Sequence, residues 1–287
     1  MSQEYASVCQ PVGRLGLRCR RRDLFALGKK TVDQRQQRCV RVISLDEIAL
    51  KKGHDDFVLV IGAPEECYVI DLLSDRKKET LEAWFDQLVP DQRSAIQVVC
   101  IDMWDAYCSA VQTKLPGVEI VVDRFHVMKN LNHALTTARR EIQRQAAAGV
   151  KDQLKGSRWV LVRNQSDLTT EQREKLDVIY AVSPELKLGH QLKEQFRAIF
   201  ELTDRDEAAH QLDNWIQQVE TSGLKGFQGF VTTLRNWHDY ILNYFHERWS
   251  NGFAEGMNNK IKLLKRRGFG YTNFDHFRMR VLVECGP

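Results

Sequence analysis

The chain has 287 residues, 43% hydrophobic and 28% charged, which is enough apolar content for a folded core in one large domain or two ordinary ones. No apolar run approaches a membrane span, and MSQEYASVCQ lacks the charged-then-apolar order of a signal peptide, so the expectation is a cytoplasmic protein with no membrane association. Net charge is only +4, but residues 1–41 carry ten Lys/Arg against three Asp/Glu, a net of +7, so the remaining 246 residues sum to −3. A basic head on a near-neutral body points to an anionic partner, nucleic acid first, against the plainer reading of a solvated tail. Seven scattered cysteines form no C-x-x-C pair, which removes a zinc ribbon or a thioredoxin motif. Cys67 and Cys100 fall in apolar runs and read as small buried hydrophobes.

Residues 1–41 show no convincing period and read as a basic arm or linker, helical from Gln34 onward if anywhere. VISLD (42–46) is a strand candidate ending at Asp46, followed closely by Lys51, Lys52 and His54. FVLVIGA (57–63) and ECYVIDLL (66–73) flank Pro64 and Glu65 as a hairpin, so three antiparallel strands follow one another. Over 77–88, Leu81, Trp84, Phe85 and Leu88 stand at i, i+3, i+4 and i+7 and predict an amphipathic helix.

Two short Val/Ile-rich runs come next, each ending in an aspartate: Ile96–Ile101 at Asp102, and Val118–Val122 at Asp123. Runs without clean alternation read as strands buried on both faces. A helix over 104–115, stopped by Pro116–Gly117, connects them as a parallel crossover requires. Ligands of open α/β sheets bind beyond the carboxyl ends of strands, where two carboxylates suit a hard cation. The competing reading is that each aspartate merely caps the helix that follows it. The order β-β-β-α-β-α-β is that of a ribonuclease H-like α/β fold, a mixed sheet with flanking helices, occupying 42–125.

From 126 to 249 the pattern is helical, with four or five helices and no strand: one long helix over 126–149 with a basic stripe at Arg139, Arg140 and Arg144, then 151–165 without an assigned element, then helices over 166–182, 184–200, 204–223 and 227–249. This reads as an all-helical insertion ahead of the final core segment, 250–287. That segment begins with Ser250 and Asn251 as candidate N-caps, with Ile261 and Leu264 facing the core. Glu255, Asn258, Asn259 and Lys262 recur at helical spacing, and Lys260, Lys262, Lys265, Arg266 and Arg267 place five cations within eight residues. Such cations serve phosphates, and Asn serves backbones or bases. In a ribonuclease H-like sheet the first and fourth strands are neighbours, which would bring Asp46 beside Asp102, and a late helix can add Glu255.

LDEIALKKGH, IDMWDAY, VVDRFHVMKN and EGMNNKIKLLKRRGFGY, in this order, resemble the successive motifs of the DDE transposases of bacterial insertion sequences, nearest the ISL-three group. The resemblance covers roughly 42–285. It implies metal-dependent DNA strand cleavage and strand transfer, with Asp46, Asp102 and Glu255 as the catalytic, metal-binding triad. It implies Mg²⁺ as cofactor, with Mn²⁺ able to substitute. The implied partners are DNA, both transposon ends and target, and a homo-oligomer assembled on DNA, in the bacterial cytoplasm and nucleoid-associated when bound. Asp123 and His126 stand in a D-x-F-H motif with an auxiliary role. Lys51, Lys52, Arg124, Asn258, Asn259, Lys260, Lys262, Lys265, Arg266 and Arg267 become DNA-binding candidates. Spacing leaves open whether Asp102 or Asp123 is the second triad acid, with Asp102 preferred because the fourth strand abuts the first. The zinc-binding segment and helix-turn-helix that usually precede the first motif have no counterpart before Asp46. The expectation is therefore a truncated or rearranged copy, and the alternative function is a non-catalytic DNA-binding remnant. A metal-independent hydrolase using His126 with Asp123 is a weaker third reading, since no nucleophile motif accompanies them.

Overall fold

The structure, a computed structural model, describes residues 38–49, 57–249, 252–268, 271 and 273–287. Most of the basic arm, together with Lys51, Lys52, Ser250 and Asn251, lies outside the described residues.

Five strands form one mixed sheet: β1 (Val42–Ala49), β2 (Phe57–Ala63), β3 (Tyr68–Leu73), β4 (Val98–Ile101) and β5 (Glu119–Val122). Their spatial order is β3-β2-β1-β4-β5. β1 is antiparallel to β2 and parallel to β4, and β4 is parallel to β5. The ribonuclease H-like order read from the sequence is thus the order found. All four residues of β4 are buried, as a central parallel strand demands, and each such side chain is worth about 1.5–3 kcal/mol of apolar transfer.

β1 runs three residues past the expected end at Asp46. Its antiparallel pairing with β2 continues through Ile48↔Val58 and Ala49↔Phe57, while its parallel pairing with β4 stops at Ser44↔Cys100. Asp46 therefore sits inside a strand, at the point where β1 has lost its neighbour on one side. Cys67 is exposed, not buried as expected, because it occupies the β2–β3 turn in a left-handed conformation, φ 60°.

The crossovers are helical. α1 (Lys78–Gln87) buries Leu81, Trp84 and Phe85 as its spacing predicts, and α3 (Asp105–Lys114) links β4 to β5. Between α1 and β4 lies α2 (Pro90–Ala95), which the sequence reading passed over; Pro90 supplies a preset first turn.

Residues 124–247 hold nine helices among the described residues, where four or five were expected. α4 (Arg124–Gln145) is the long one, and α5 (Ala148–Gln153) and α6 (Ser157–Val162) fill the stretch left unassigned. α7 (Thr170–Val182), α8 (Pro184–Ile199) and α9 (Arg205–Thr221) follow the predicted helices closely. The single helix expected over 227–249 is broken into α10 (Gln228–Asn236), α11 (His238–Leu242) and α12 (Tyr244–Glu247). The breaks turn the chain onto the sheet edge, where Asn243 Nδ2 donates to the Ile120 carbonyl of β5 at 2.9 Å.

A polar knot centred on the buried Lys193 and His190 holds α6 and α8 together. Lys193 Nζ donates to the carbonyls of Leu161 (3.0 Å) and Arg163 (2.6 Å) and pairs with Glu194 (2.6 Å). His190 Nδ1 meets the Tyr180 hydroxyl at 2.8 Å, and its Nε2 lies 3.4 Å from Lys193 Nζ. Burial, with Lys193 beside it, pulls His190 down to about 4, while Glu194 works the other way. The neutral ring thus favours folding fully above the unfolded value near 6.5, and that contribution is lost as pH falls toward 4. Urea unfolding at pH 7 and pH 4.5 is expected to show about 2–3 kcal/mol more acid loss for the native chain than for His190→Gln. Equal losses would remove His190 from the account.

The chain ends in α13 (Gly252–Arg267) and α14 (Phe274–Cys285). Both pack on one face of the sheet, where Ile261, Leu264, Phe277 and Leu282 meet Ile48, Val58, Val60, Val69 and Leu72. Alternate strand residues such as Ile43, Leu45, Leu59 and Ile61 serve the main core, which extends into the helical body. Gly62 makes the approach of α13 possible: a Cβ there would lie 2.7 Å from Ser44 Oγ and 2.8 Å from the Phe253 ring.

Candidate active site

The site follows from register. Ser44 pairs with Cys100, so Asp46 and Asp102 stand the same two residues farther along neighbouring parallel strands. Ile101 pairs with Val122, so Asp123 follows beside Asp102, and Asp123 N donates to the Ile101 carbonyl at 2.9 Å. Three aspartates therefore line the edge where β4 and β5 end.

Their side chains do different work. Asp123 is buried and caps α4, accepting from Phe125 N at 3.2 Å, while its other oxygen meets His126 Nδ1 at 3.1 Å. The capping reading holds for Asp123. It fails for Asp102, because α3 starts after Trp104 with no side-chain cap. Asp102 Oδ1 is buried without a hydrogen-bond partner among the described residues. Asp46 is held on two sides: Oδ1 accepts from Glu47 N at 2.7 Å and Oδ2 from Asn258 Nδ2 at 2.7 Å.

Burial pushes the Asp102 carboxyl up to about 6; His126 opposes that, and Glu47 and Asp46 add to it. Burial also raises Asp46, with Asp123 adding, against the Glu47 backbone bond, His126 and Asn258. Burial alone would lower His126, but the bond to Asp123 and the charges of Asp123, Asp102 and Asp46 outweigh it and raise the imidazole. The cluster is acidic, part-buried and short of positive charge.

α13 crosses this cluster. Asn258 is buried against Asp46, and its Oδ1 is a second buried oxygen without a partner among the described residues. Glu255 stands one turn earlier on the helix, exposed, and makes no hydrogen bond or ion pair among the described residues. The structure brings Asp46, Asp102, Asp123, His126 and Asn258 together, while Glu255 is exposed and bonded to none of them. Among the described residues no three His, Cys, Asp or Glu side chains are gathered tightly enough to hold a metal ion. Mg²⁺ needs less, since it binds through one or two carboxylates and takes its other oxygens from substrate phosphate and water. Asp46 and the unpartnered Asp102 oxygen fit that donor set.

The cationic candidates separate. Lys260 Nζ donates to the Glu284 carbonyl (2.6 Å) and Lys265 Nζ to the Ala49 carbonyl (3.4 Å). Asn259, Lys262, Arg266 and Arg267 are exposed. Asn258 is turned inward to Asp46, away from the surface its sequence role implied. Arg124 pairs with Glu201 at 2.8 Å and lies over the Phe200 ring.

Sequence reading missed the support beneath the acids. Glu47 accepts from Tyr107 Oη (2.9 Å) and Arg76 (3.0 Å), and Arg76 lies over the Trp104 and Phe57 rings. Glu47 follows Asp46 directly and was available as a signal; the two partners are distant in sequence and gave none.

Comparison with known proteins identifies a family. The profile of the ISL3-type DDE family, described as transposase, matches residues 43–281. The chain is 29% identical over 245 residues to the transposase for insertion sequence element IS1001 of Bordetella parapertussis, covering 84% of this chain and 60% of that protein. It is 27% identical over 257 residues to the transposase for insertion sequence element IS1557 of Mycobacterium tuberculosis, covering 82% of this chain and 57% of that one. The chain thus spans less than two thirds of the length of either relative. No helix among the described residues is long and apolar enough to cross a membrane.

Proposed function

The chain belongs to the ISL3-type DDE transposases, and on that premise we propose that it carries the catalytic core for metal-dependent DNA strand cleavage and strand transfer. The observation that carries the reading is the buried, unpartnered Asp102 oxygen in register with Asp46. Asp46 and Asp102 would hold the divalent cation, Mg²⁺ or Mn²⁺, with Glu255 completing the set from α13. A cation held there polarises the phosphoryl oxygen and activates an attacking water or 3′-hydroxyl.

The protein's own residues prepare that place. Asn258 and the Glu47 backbone fix Asp46 in one orientation, so it needs no reordering when substrate arrives. Asp123 fixes the His126 ring and keeps its raised proton affinity facing the acids. His126 thereby tempers the repulsion between Asp46 and Asp102. Asn259, Lys262, Arg266 and Arg267 on the exposed part of α13 would contact phosphates, with Lys51, Lys52 and Arg124 as further candidates. DNA, both transposon ends and target, would be the substrate, with a homo-oligomer joining two ends.

The acidic row with its unpartnered oxygen favours this over a non-catalytic DNA-binding remnant, which has no need of it. The test is a nicking assay on supercoiled and end-containing DNA with Mg²⁺ or Mn²⁺. Glu255→Gln is expected to lower metal-dependent nicking about 10²-fold or more while DNA affinity stays within about twofold. Nicking by Glu255→Gln at the native rate would remove Glu255 from the triad. No metal-dependent product from the native chain would leave the remnant standing.

A further inference from the structure

We propose that α4 and α6 form a groove that binds an unpaired stretch of DNA strand leading to the acidic row. The proposal rests on the reading of that row as a DNA-cleaving site. The groove encloses about 780 Å³ and is lined by Arg124, Phe125, Lys129, Arg140, Arg158 and Arg197, with no carboxylate in its wall among the described residues. Its acidic-row end is marked by Phe125, which stands between Asp123 and His126 and meets the His126 ring edge-on at 5.5 Å.

Arg124 pairs with Glu201 and Arg197 with Glu194, which leaves Lys129, Arg140 and Arg158 as the available charges. Among the described residues no carboxylate pairs with Lys129, Arg140 or Arg158, and Lys129 and Arg140 are exposed. Arg158 lies over the ring of Trp159 at 4.8 Å, and that ring is 69% exposed. Arg139, behind the groove, has a buried Nε without a partner among the described residues, and the neighbouring Arg140 and Arg158 add to its burden. A fold does not gather guanidinium groups this way for stability, because like charges side by side repel. An anion of extended form relieves them.

Length and chemistry choose the anion. From Arg124 to Arg140 the helix rises about 24 Å, at about 1.5 Å per residue. Phosphates of one strand recur about every 3.4 Å along a duplex axis and lie farther apart in an extended unpaired strand, so at most about seven nucleotides fit that length. Phe125 is 53% exposed in the groove wall. An exposed ring beside a cationic track suits stacking on bases, and only unpaired bases offer an open face. The site therefore fits a strand peeled from its complement beside the scissile phosphate.

The experiment measures anisotropy of a labelled 12-nucleotide single strand and of its duplex against KCl concentration. It uses the full chain in EDTA, so metal-dependent chemistry plays no part. Arg140→Gln/Arg158→Gln is expected to make the log K against log salt slope shallower by about 1.4, two phosphates at about 0.7 each. Phe125→Ala is expected to weaken single-strand binding about five- to 150-fold and duplex binding less. Lys187→Gln/Arg235→Gln, which removes two charges outside the groove, is expected to change neither. Native slope and affinity in the groove variants would overturn the proposal. So would an equal loss in the outside pair, or an equal effect of Phe125→Ala on duplex. Circular dichroism confirms that each variant is folded, and Arg140→Lys should restore the slope. If cleavage is absent while groove binding behaves as expected, the acidic-row reading fails alone. If cleavage depends on Asp102 and the groove variants bind normally, the groove fails alone.

Discussion

Asp102→Asn is expected to reduce metal-dependent DNA cleavage by about 10³-fold or more without lowering thermal stability. The loss follows from chemistry: a cation's stabilisation of a phosphoryl transfer is worth several kcal/mol, and about 1.36 kcal/mol is a factor of ten in rate. An amide keeps the shape and removes the charge that would hold the cation. The stability expectation follows from linkage. Asp102 is an acid pushed up to about 6, mainly by burial. Its ionised form therefore opposes folding above that value, and the opposition fades as pH falls through 6 toward the ordinary carboxylate range. Asparagine carries no such charge, so the melting temperature at pH 7 should hold or rise. Asp123→Ala is the informative contrast, because Asp123 caps α4 and its loss should cost about 1 kcal/mol of stability before any effect on rate. Cleavage by Asp102→Asn within tenfold of the native chain would sink the assignment. Loss of cleavage accompanied by unfolding would mean that Asp102 acts through structure.

The sheet was legible because its signals are local and redundant. Val98–Ile101 and Ile120–Val122 are apolar throughout, which strands buried on both faces require, and the intervening helix forces a parallel pair. The end of β1 was not legible, since Asp46 and Glu47 look like a strand terminus. Pairing with β2 carries the strand past them, and pairing is a tertiary fact. The same limit explains the splitting of 227–249 into three helices. Its helical spacing is good, but the tether from Asn243 to the Ile120 carbonyl is set by a strand more than a hundred residues away.

The site divides along the same line. Asp102 and Asp123 could be named because their strand ends are visible in sequence, and Asp46 because it closes the apolar run of β1. That Asp123 caps and Asp102 does not could not be read, since both are aspartates before a helix. Asn258 was visible as part of a polar helical face, yet its role reversed: it is buried against Asp46. Helical spacing gives a face but not which way the face turns. The groove on α4 was half legible. Arg139, Arg140 and Arg144 stood out as a stripe, whereas Arg158 and Arg197 join only through packing of α6 and α8.

Asp71→Ala is expected to cost about 3 kcal/mol, the largest stability loss of the substitutions considered for the core. Asp71 lies on β3, an edge strand of the sheet, and is 5% exposed. Its carboxylate takes a bidentate pair from Arg278 of α14, Nε at 2.6 Å and NH2 at 2.9 Å. It also accepts from Trp84 Nε1 of α1 at 3.1 Å and from Leu72 N at 2.7 Å. One side chain thus clamps helices from both faces of the sheet around its open edge. Removing it takes the bidentate partner from the Arg278 guanidinium and the acceptor from the Trp84 indole N–H, and breaking a buried pair by deleting one partner costs about 3–5 kcal/mol. Urea unfolding checks the value. Asp71→Asn should cost less, because an amide oxygen still serves Trp84 or Leu72. Asp71→Ala/Arg278→Met should recover part of the loss, since it also removes the cation that paired with the carboxylate. The consequence for function runs through the helix pair: α14 supports α13, and α13 carries Asn258 and Glu255 to the acidic row. At temperatures where Asp71→Ala is still folded, cleavage should fall in step with the loosening of α13, while Asp102→Asn abolishes it at every temperature. A stability loss below about 1 kcal/mol would mean that Phe277, Val281 and Leu282 hold α14 without the clamp.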